Sequence, residues 1–365
     1  MIVRFFESNE QKSLQKAIDE LWVNNHIYVR DVKLLNSMFY ESPYKHFITQ
    51  SNDYSFLGVW DNQKIVGLLG VIPFKFNQKG KISFGVCLTN WIVEESYRKT
   101  GAGMELLKFV QNLNPSIILS LGINDNVKKL YKALKWEVMD SLPRWVGIVN
   151  KQRVIEKVFK GNDSSLKNID EIKIVENDSD MNHFIFNNTG LNSMQWNLFH
   201  ESKLLSKYIG ISREFNYIEW RYLKHPTFTY KYVLYKDNDG IKGLVIYRIE
   251  SILKDSKIGR IVEILTDDKE VELKLIKHLI NYEKSLLFWD FYCASTIASW
   301  SLENVGFKKS DNQSYFPTRF QPLDLSVSSI KSAIYINPGV LKKLNVFDIN
   351  PWYITKGDSD QDRPN

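Results

Sequence analysis

The chain has 365 residues, 44% of them apolar and 25% charged, which is too long for one ordinary core and points to two, while excluding a disordered chain or a membrane span. Its 48 Lys and Arg against 42 Asp and Glu give a formal charge of +6 that is scattered rather than blocked, so it suggests mild attraction for anionic nucleotides but no nucleic-acid partner. Cys87 and Cys293 both sit inside apolar runs and read as buried free thiols in a reducing cytoplasm; no Cys/His spacing suggests a metal, and the opening MIVRFFESNEQKS does not read as a signal peptide.

In chain order, Ile2 to Glu7 reads as an edge strand, Ser8 as the cap of a helix over Glu10 to Trp22, and Arg30 to Tyr40 as a second helix. Strands follow over Tyr54 to Asp61, Lys64 to Phe76 and Lys81 to Val93. A turn then carries Arg98, Lys99, Thr100, Gly101, Ala102 and Gly103, ahead of a helix opened by Met104 with apolar Leu106, Leu107, Phe109 and Val110. Two glycines around a small alanine let backbone N–H groups line a concave bend, and the helix beyond directs its positive dipole end at the same place. With Arg98 and Lys99 adding full charge, a diphosphate is the natural occupant. A buried-looking strand, SIILSLGI, then runs to Asn124, and a helix carries Leu130 and Tyr131.

Val93, four residues, Arg98, two residues, Gly101, one residue and Gly103 together resemble the acyl-CoA pyrophosphate loop of the GNAT superfamily of N-acyltransferases. Asn124, Leu130 and Tyr131 stand where that family's N-x-x-A-x-x-L-Y pattern has its asparagine, leucine and tyrosine, although Val127 replaces the alanine. Lys135-Trp136 replaces the usual Gly-Phe, with Trp136 filling the apolar role and the lost glycine suggesting a different turn. The resemblance implies an α/β (α+β) fold with a mixed, mostly antiparallel sheet flanked by helices, and acetyl-CoA or another acyl-CoA as co-substrate. It assigns Trp91, Ile92, Val93, Arg98, Lys99, Thr100, Gly101, Ala102, Gly103 and Asn124 to cofactor binding and Tyr131 to protonation of the departing thiolate. The general base is unplaced: the strand before the loop has no acid, so Glu94 or Glu95 beyond its end, His46, solvent and the second half of the chain all remain open.

The pattern recurs. FLGVWDNQKIVGLLGV from Phe56 lines up with YVLYKDNDGIKGLVIY from Tyr232, and LYKALKW with SLENVGF, so a second GNAT-like copy is expected. Its turn, TDDKEV, has no glycine or arginine and two aspartates that would repel a diphosphate, and Leu302 replaces Tyr131. The resulting division is 1–150 for the GNAT domain with the acyl-CoA loop, 151–170 for a linker, 171–325 for a degenerate copy acting as an acceptor-binding wall, and 326–365 for an extension.

Within the second copy, Arg213, Tyr217, Trp220, Arg221, Tyr222, His225 and Tyr230 suit a helix docked on a sheet, or alternatively a sugar or nucleotide. Asp358, Asp360 and Asp362 alternate in the final stretch, the pattern of a solvated tail, though they could hold a metal or an amino-sugar cation. The layout is similar to acyltransferases of bacterial surface-polysaccharide pathways, which implies a small amine acceptor such as a nucleotide-linked amino sugar. Two other readings stand beside it: a tandem-GNAT aminoacyl transferase using charged tRNA, and a GNAT-fold binding module without catalysis.

Overall fold

A computed structural model describes residues 1–49, 52–161, 166, 170–173, 183–186, 190–253, 255–310, 316, 318–320, 323–324, 329–339 and 351–362. The edge strand β1 (Ile2–Phe5) pairs with β2 (Phe56–Asp61), and between them lie α1 (Gln11–Leu21), α2 (Ile27–Arg30) and α3 (Val32–Phe39). Helix α1 buries Leu14, Ala17 and Ile18 at helical spacing, and the Asp31 carboxylate caps α3 by accepting from Leu34 N–H at 3.0 Å. Ser8 is not the cap expected of it. It opens a 3₁₀ turn held by a Glu7/Glu10 capping box, with Glu10 also paired to Arg4 at 2.6 Å.

The long hairpin of β3 (Lys64–Gln78) and β4 (Lys81–Val93) turns through Lys79 and Gly80 at positive φ. Helix α4 (Ala102–Asn112) crosses over and buries Leu106, Leu107 and Val110, and β5 (Ile117–Leu121) returns parallel to β4. Helix α5 (Asp125–Ala133) and β6 (Glu137–Met139) complete the series. The link after α5 keeps the left-handed turn despite its missing glycine: Lys135 has φ 61°, where the matching Gly306 has φ 104°. The fold imposes the conformation on a residue that carries a Cβ, at a cost of roughly 1–2 kcal/mol.

Next come β7 (Arg144–Ile148), α6 (Lys151–Lys157), β8 (Phe184–Phe186), α7 (Ser193–Phe199), β9 (Ile209–Ile211) and α8 (Phe215–Ile218). Then β10 (Lys231–Asp237), β11 (Gly240–Leu253), β12 (Ser256–Thr266), α9 (Lys269–Tyr282), β13 (Phe288–Ala294), α10 (Ser299–Val305) and β14 (Lys308–Ser310) repeat the order β2 to β6 with the same antiparallel and parallel pairings. A small hairpin of β15 (Arg319–Phe320) and β16 (Leu323–Asp324) stands apart from the main sheet.

Strand pairing crosses residues 150 and 325. β7 leaves the first half and pairs with β13 and β14, held there by Arg144, whose guanidinium donates to the Asp290 carboxylate at 2.6 Å. In the other direction β17 (Ser332–Ile336) inserts between β5 and β6 of the first half. The last strand, β18 (Trp352–Thr355), runs between β9 and β13, and β9 in turn pairs with β3, so sixteen described strands form one continuous sheet.

The final segment is not a solvated tail. Residues Trp352 to Asp360, and Asp362, are buried, because alternate carboxylates meet arginines of the second half. Asp358 accepts from the Arg213 guanidinium at 2.6 Å and from Thr355 N–H at 2.9 Å; Asp362 accepts from Arg248 at 2.9 Å and from the Tyr230 hydroxyl at 2.7 Å. Arg221 donates to the carbonyls of Gly357 and Ser359. Tyr217, Arg221 and Tyr222 therefore do dock on a helical segment, with Arg213 before it and Tyr230 after it, and the arginines are directed at the chain's own end rather than at a sugar or nucleotide. Buried charges survive only with such pairing.

Burial pushes the Asp290 carboxyl up, but Arg260 and Arg144 outweigh it and bring it down to about 2. A depressed carboxyl stabilises the fold fully above its unfolded value near 3.9 and loses that contribution as pH falls through its folded value. Asp290 should thus contribute about 2–3 kcal/mol above pH 4 that vanishes towards pH 2, seen in urea titrations as a steep wild-type loss over that window that is shallower in Asp290→Asn. Lys135→Gly should raise unfolding free energy by about 1 kcal/mol in the same assay.

Candidate active site

The site begins where β4 and β5 part. Their parallel pairing runs from Gly85/Ile117 to Leu88/Ser120, and beyond it β4 continues to Val93 while β5 ends at Leu121. A bulge in the β3 pairing between Leu68 and Gly70, with Asn90 at φ 51°, twists β4 away at this point. The parted strands leave an open fork.

The outer groove of the fork, about 360 Å³, is lined by Trp91, Ile92, Val93, Arg98, Gly103, Asn124, Asn126, Val127 and Leu130. Arg98 Nε donates to the Val93 carbonyl at 3.2 Å, which fixes the base of its side chain beside the strand end. Gly101, at φ 88°, begins α4 with no side chain capping it, so the first N–H groups of this eleven-residue helix remain for a ligand. Lys99 and Thr100 lie exposed on the rim, with the Thr100 hydroxyl turned back to the Tyr97 carbonyl at 2.8 Å, and Ala102 is buried under α4. Asn124 caps α5 by accepting from Val127 N–H at 2.9 Å, and it belongs to both the groove and the space behind it.

That inner space is a cavity of about 120 Å³, joined to the groove through Trp91, Asn124 and Val127. Tyr131 forms part of its wall, fully buried, stacked on Trp136 with ring centroids 4.2 Å apart and donating weakly to the Ser120 hydroxyl at 3.4 Å. Burial pushes its phenol up, so it stays protonated and able to donate. Asn90 also faces the cavity; Thr89 donates to its Oδ1 at 2.7 Å, leaving Nδ2 without a partner in a buried carboxamide.

The three candidate bases, Glu94, Glu95 and His46, line neither the groove nor the cavity. Glu94 is ion-paired with Lys64 at 2.7 Å on a separate surface hollow, and this lysine, followed by Ser96, lowers its pKa. Glu95 is exposed in a 3₁₀ turn. His46 is exposed with its ring 4.4 Å from Phe47, and it lines neither groove nor cavity. Several lining residues were not placed here by sequence reasoning, Trp22, Asn90, Asp360 and Gln361 among them. Gln361 reaches the cavity because Gly122, at φ 80°, leaves room for its carboxamide; a Cβ there would overlap it.

The corresponding fork in the second half is filled. β12 and β13 pair only from Gly259/Trp289 to Ile261/Phe291, and β18 then lies against the end of β13. The Tyr353 hydroxyl, between them, accepts from Ile264 N–H at 3.0 Å and donates to its carbonyl at 3.1 Å. At the start of α9 the Asp268 carboxylate accepts from Glu270 N–H at 2.8 Å and Val271 N–H at 3.0 Å. A carboxylate of the chain occupies what a diphosphate would need.

No protein-family model and no curated protein matches this sequence. Among solved structures it is similar to a conserved protein of unknown function from Enterococcus faecalis V583, described as a probable N-acyltransferase, with TM-score 0.56 and 12% identity over 91% of this chain and 71% of that one. It is also similar to a GCN5-related N-acetyltransferase from Kribbella flavida, with TM-score 0.54 and 11% identity over 92% and 71%. Saccharomyces cerevisiae N-myristoyltransferase with bound myristoyl-CoA gives TM-score 0.51 and 11% identity over 92% and 78%. The fold is that of the GNAT superfamily. No helix among the described residues is long and apolar enough to cross a membrane.

Gly122→Val combines a disfavoured φ with a clash against Gln361, and it should lower the melting temperature by several degrees. Gly80→Val, where φ is also positive but nothing lies within 4 Å, measures the backbone part alone and should lower it less.

Proposed function

We propose that this chain, built on the GNAT fold, is an acyl-CoA-dependent N-acyltransferase. The observation that carries the reading is a groove and an adjoining hollow that share Trp91, Asn124 and Val127: the groove starts at the uncapped amides of α4 beside Arg98 and follows the parted edge of β4, and the hollow lies against Tyr131. A diphosphate fits the helix end, an extended thiol arm fits the strand edge, and the thioester falls at the cavity. Binding would hold the thioester and an amine in line, with backbone N–H groups near Trp91 to Val93 receiving the developing oxyanion and Tyr131 giving its proton to the departing sulfur.

A cavity of about 120 Å³ suits an acetyl group and the amine-bearing end of an acceptor, and it leaves no room for a long acyl chain. Acetyl-CoA is therefore the proposed donor. The acceptor is a small polar amine, with a nucleotide-linked amino sugar as the leading class, the nucleotide lying outside the cavity. Two buried free thiols fit a reducing cytoplasm, where acetyl-CoA is made and used.

Calorimetry with acetyl-CoA should give a single binding event that Arg98→Ala combined with Gly101→Glu abolishes, while far-ultraviolet circular dichroism stays unchanged. Binding that survives the double substitution would rule the reading out.

A further inference from the structure

We infer that Asp360, carried in by the final segment of the chain, is the general base of the transfer reaction, an inference that rests on the acyltransferase reading. Among the residues lining the inner cavity, Tyr131 and Asp360 are the two ionisable ones. One is a buried phenol kept protonated, on α5; the other is a carboxylate that is 3% exposed, on the final segment of the chain. A thioester aminolysis needs one proton donor and one proton acceptor on the two sides of the reacting carbon, and this cavity has that pair.

The segment is built to deliver this carboxylate. Asp358 and Asp362 turn into the second half and are held by Arg213 and Arg248, and Arg221 grips the backbone at Gly357 and Ser359. Asp360, between them, lines the cavity and accepts from Gln361 Nε2 at 3.4 Å, while Asp358 and Asp362 anchor the segment on either side. Gln361 fills the space over Gly122 and fixes the segment against the turn that follows β5. Around it, Tyr131 of α5 shares the cavity wall, Cys87 of β4 lies within reach of its charge, Arg221 holds the carbonyl of the adjoining Ser359, and Asp358 and Asp362 are two residues away on its own segment. Burial first, and Asp360 next, push the Cys87 thiol up, which sets the carboxylate near the apex of the fork, where β4 still pairs with β5.

The step balances without another reactant. The neutral amine attacks the thioester carbon; as the C–N bond forms, Asp360 takes one proton from nitrogen. The C–S bond breaks with its electron pair on sulfur, which takes the Tyr131 proton to give free CoA thiol. Asp360 then returns its proton to the Tyr131 phenolate through solvent, restoring both groups.

The test uses the full chain with acetyl-CoA and four amines, glucosamine 1-phosphate, a UDP-linked 4-amino-4,6-dideoxy sugar, spermidine and glycylglycine, following thiol release from pH 5 to 9. Asp360→Asn should bind acetyl-CoA as the wild type does yet release thiol at least ~100-fold more slowly. Formate should restore part of the rate to Asp360→Ala, an effect that a structural role would not produce. Should Asp360→Asn fold poorly, rescue of Asp360→Ala at low temperature reads the same role. Acetyl-CoA binding with turnover that survives both substitutions overturns this inference alone. Absence of acetyl-CoA binding, or of release by the wild type with all four amines, overturns it together with the reading beneath it.

Discussion

Everything in the site follows from the place where two parallel strands stop pairing. A sheet buries its backbone donors by pairing them, and strands that diverge leave those groups to water or to a ligand. Here β4 leaves β5 after Leu88, guided by the left-handed Asn90, and the gap is wide enough for an extended arm. In the second half the same divergence exists but β18 and Tyr353 satisfy it. One sheet architecture thus gives an open fork and a sealed one, and the difference lies in whether the chain supplies its own occupant.

The sealing occupant is expensive in electrostatic terms. Arg213, Glu263 and Asp358 are wholly buried together, with Arg213 2.9 Å from Glu263 and 2.6 Å from Asp358. Burial pushes both carboxyls up, and Arg213 pulls them back. Apolar residues would fill such a space at less cost, so buried charge of this kind is better understood as setting position than as adding stability. Arginines that find carboxylates only in one register fix where residue 360 stands, and a greasy contact would allow it to slide.

Much of this was legible from the residues. The period-2 strands and the Gly101–Gly103 turn gave β4 as expected, β3 short of its end at Gln78, and α4 opening at Met104 where the helix already starts at Ala102, since local propensity and tertiary need agree there except at the ends. Where Glu94 points was not legible, because nearness in sequence to the loop says nothing about which way a residue leaves the sheet; it pairs with Lys64. Asp360 was hidden for the opposite reason. An alternating acidic run looks like solvent-facing chain unless one knows that Arg213, Arg221 and Arg248, more than a hundred residues earlier, are buried and waiting for it. Pairing across such distances leaves no local periodicity to read. The strand exchange by β7 and β17 was invisible on the same account, and the division at residue 150 reflected composition rather than pairing.

That exchange makes the two halves one thermodynamic body. With β7 stitched into one side and β17 into the other, neither can open without stripping a strand from its neighbour, so unfolding should be all-or-none across the whole chain. An occupant of the open groove would then protect amides as remote as those of Trp289 from exchange with solvent, although nothing it touches lies near them.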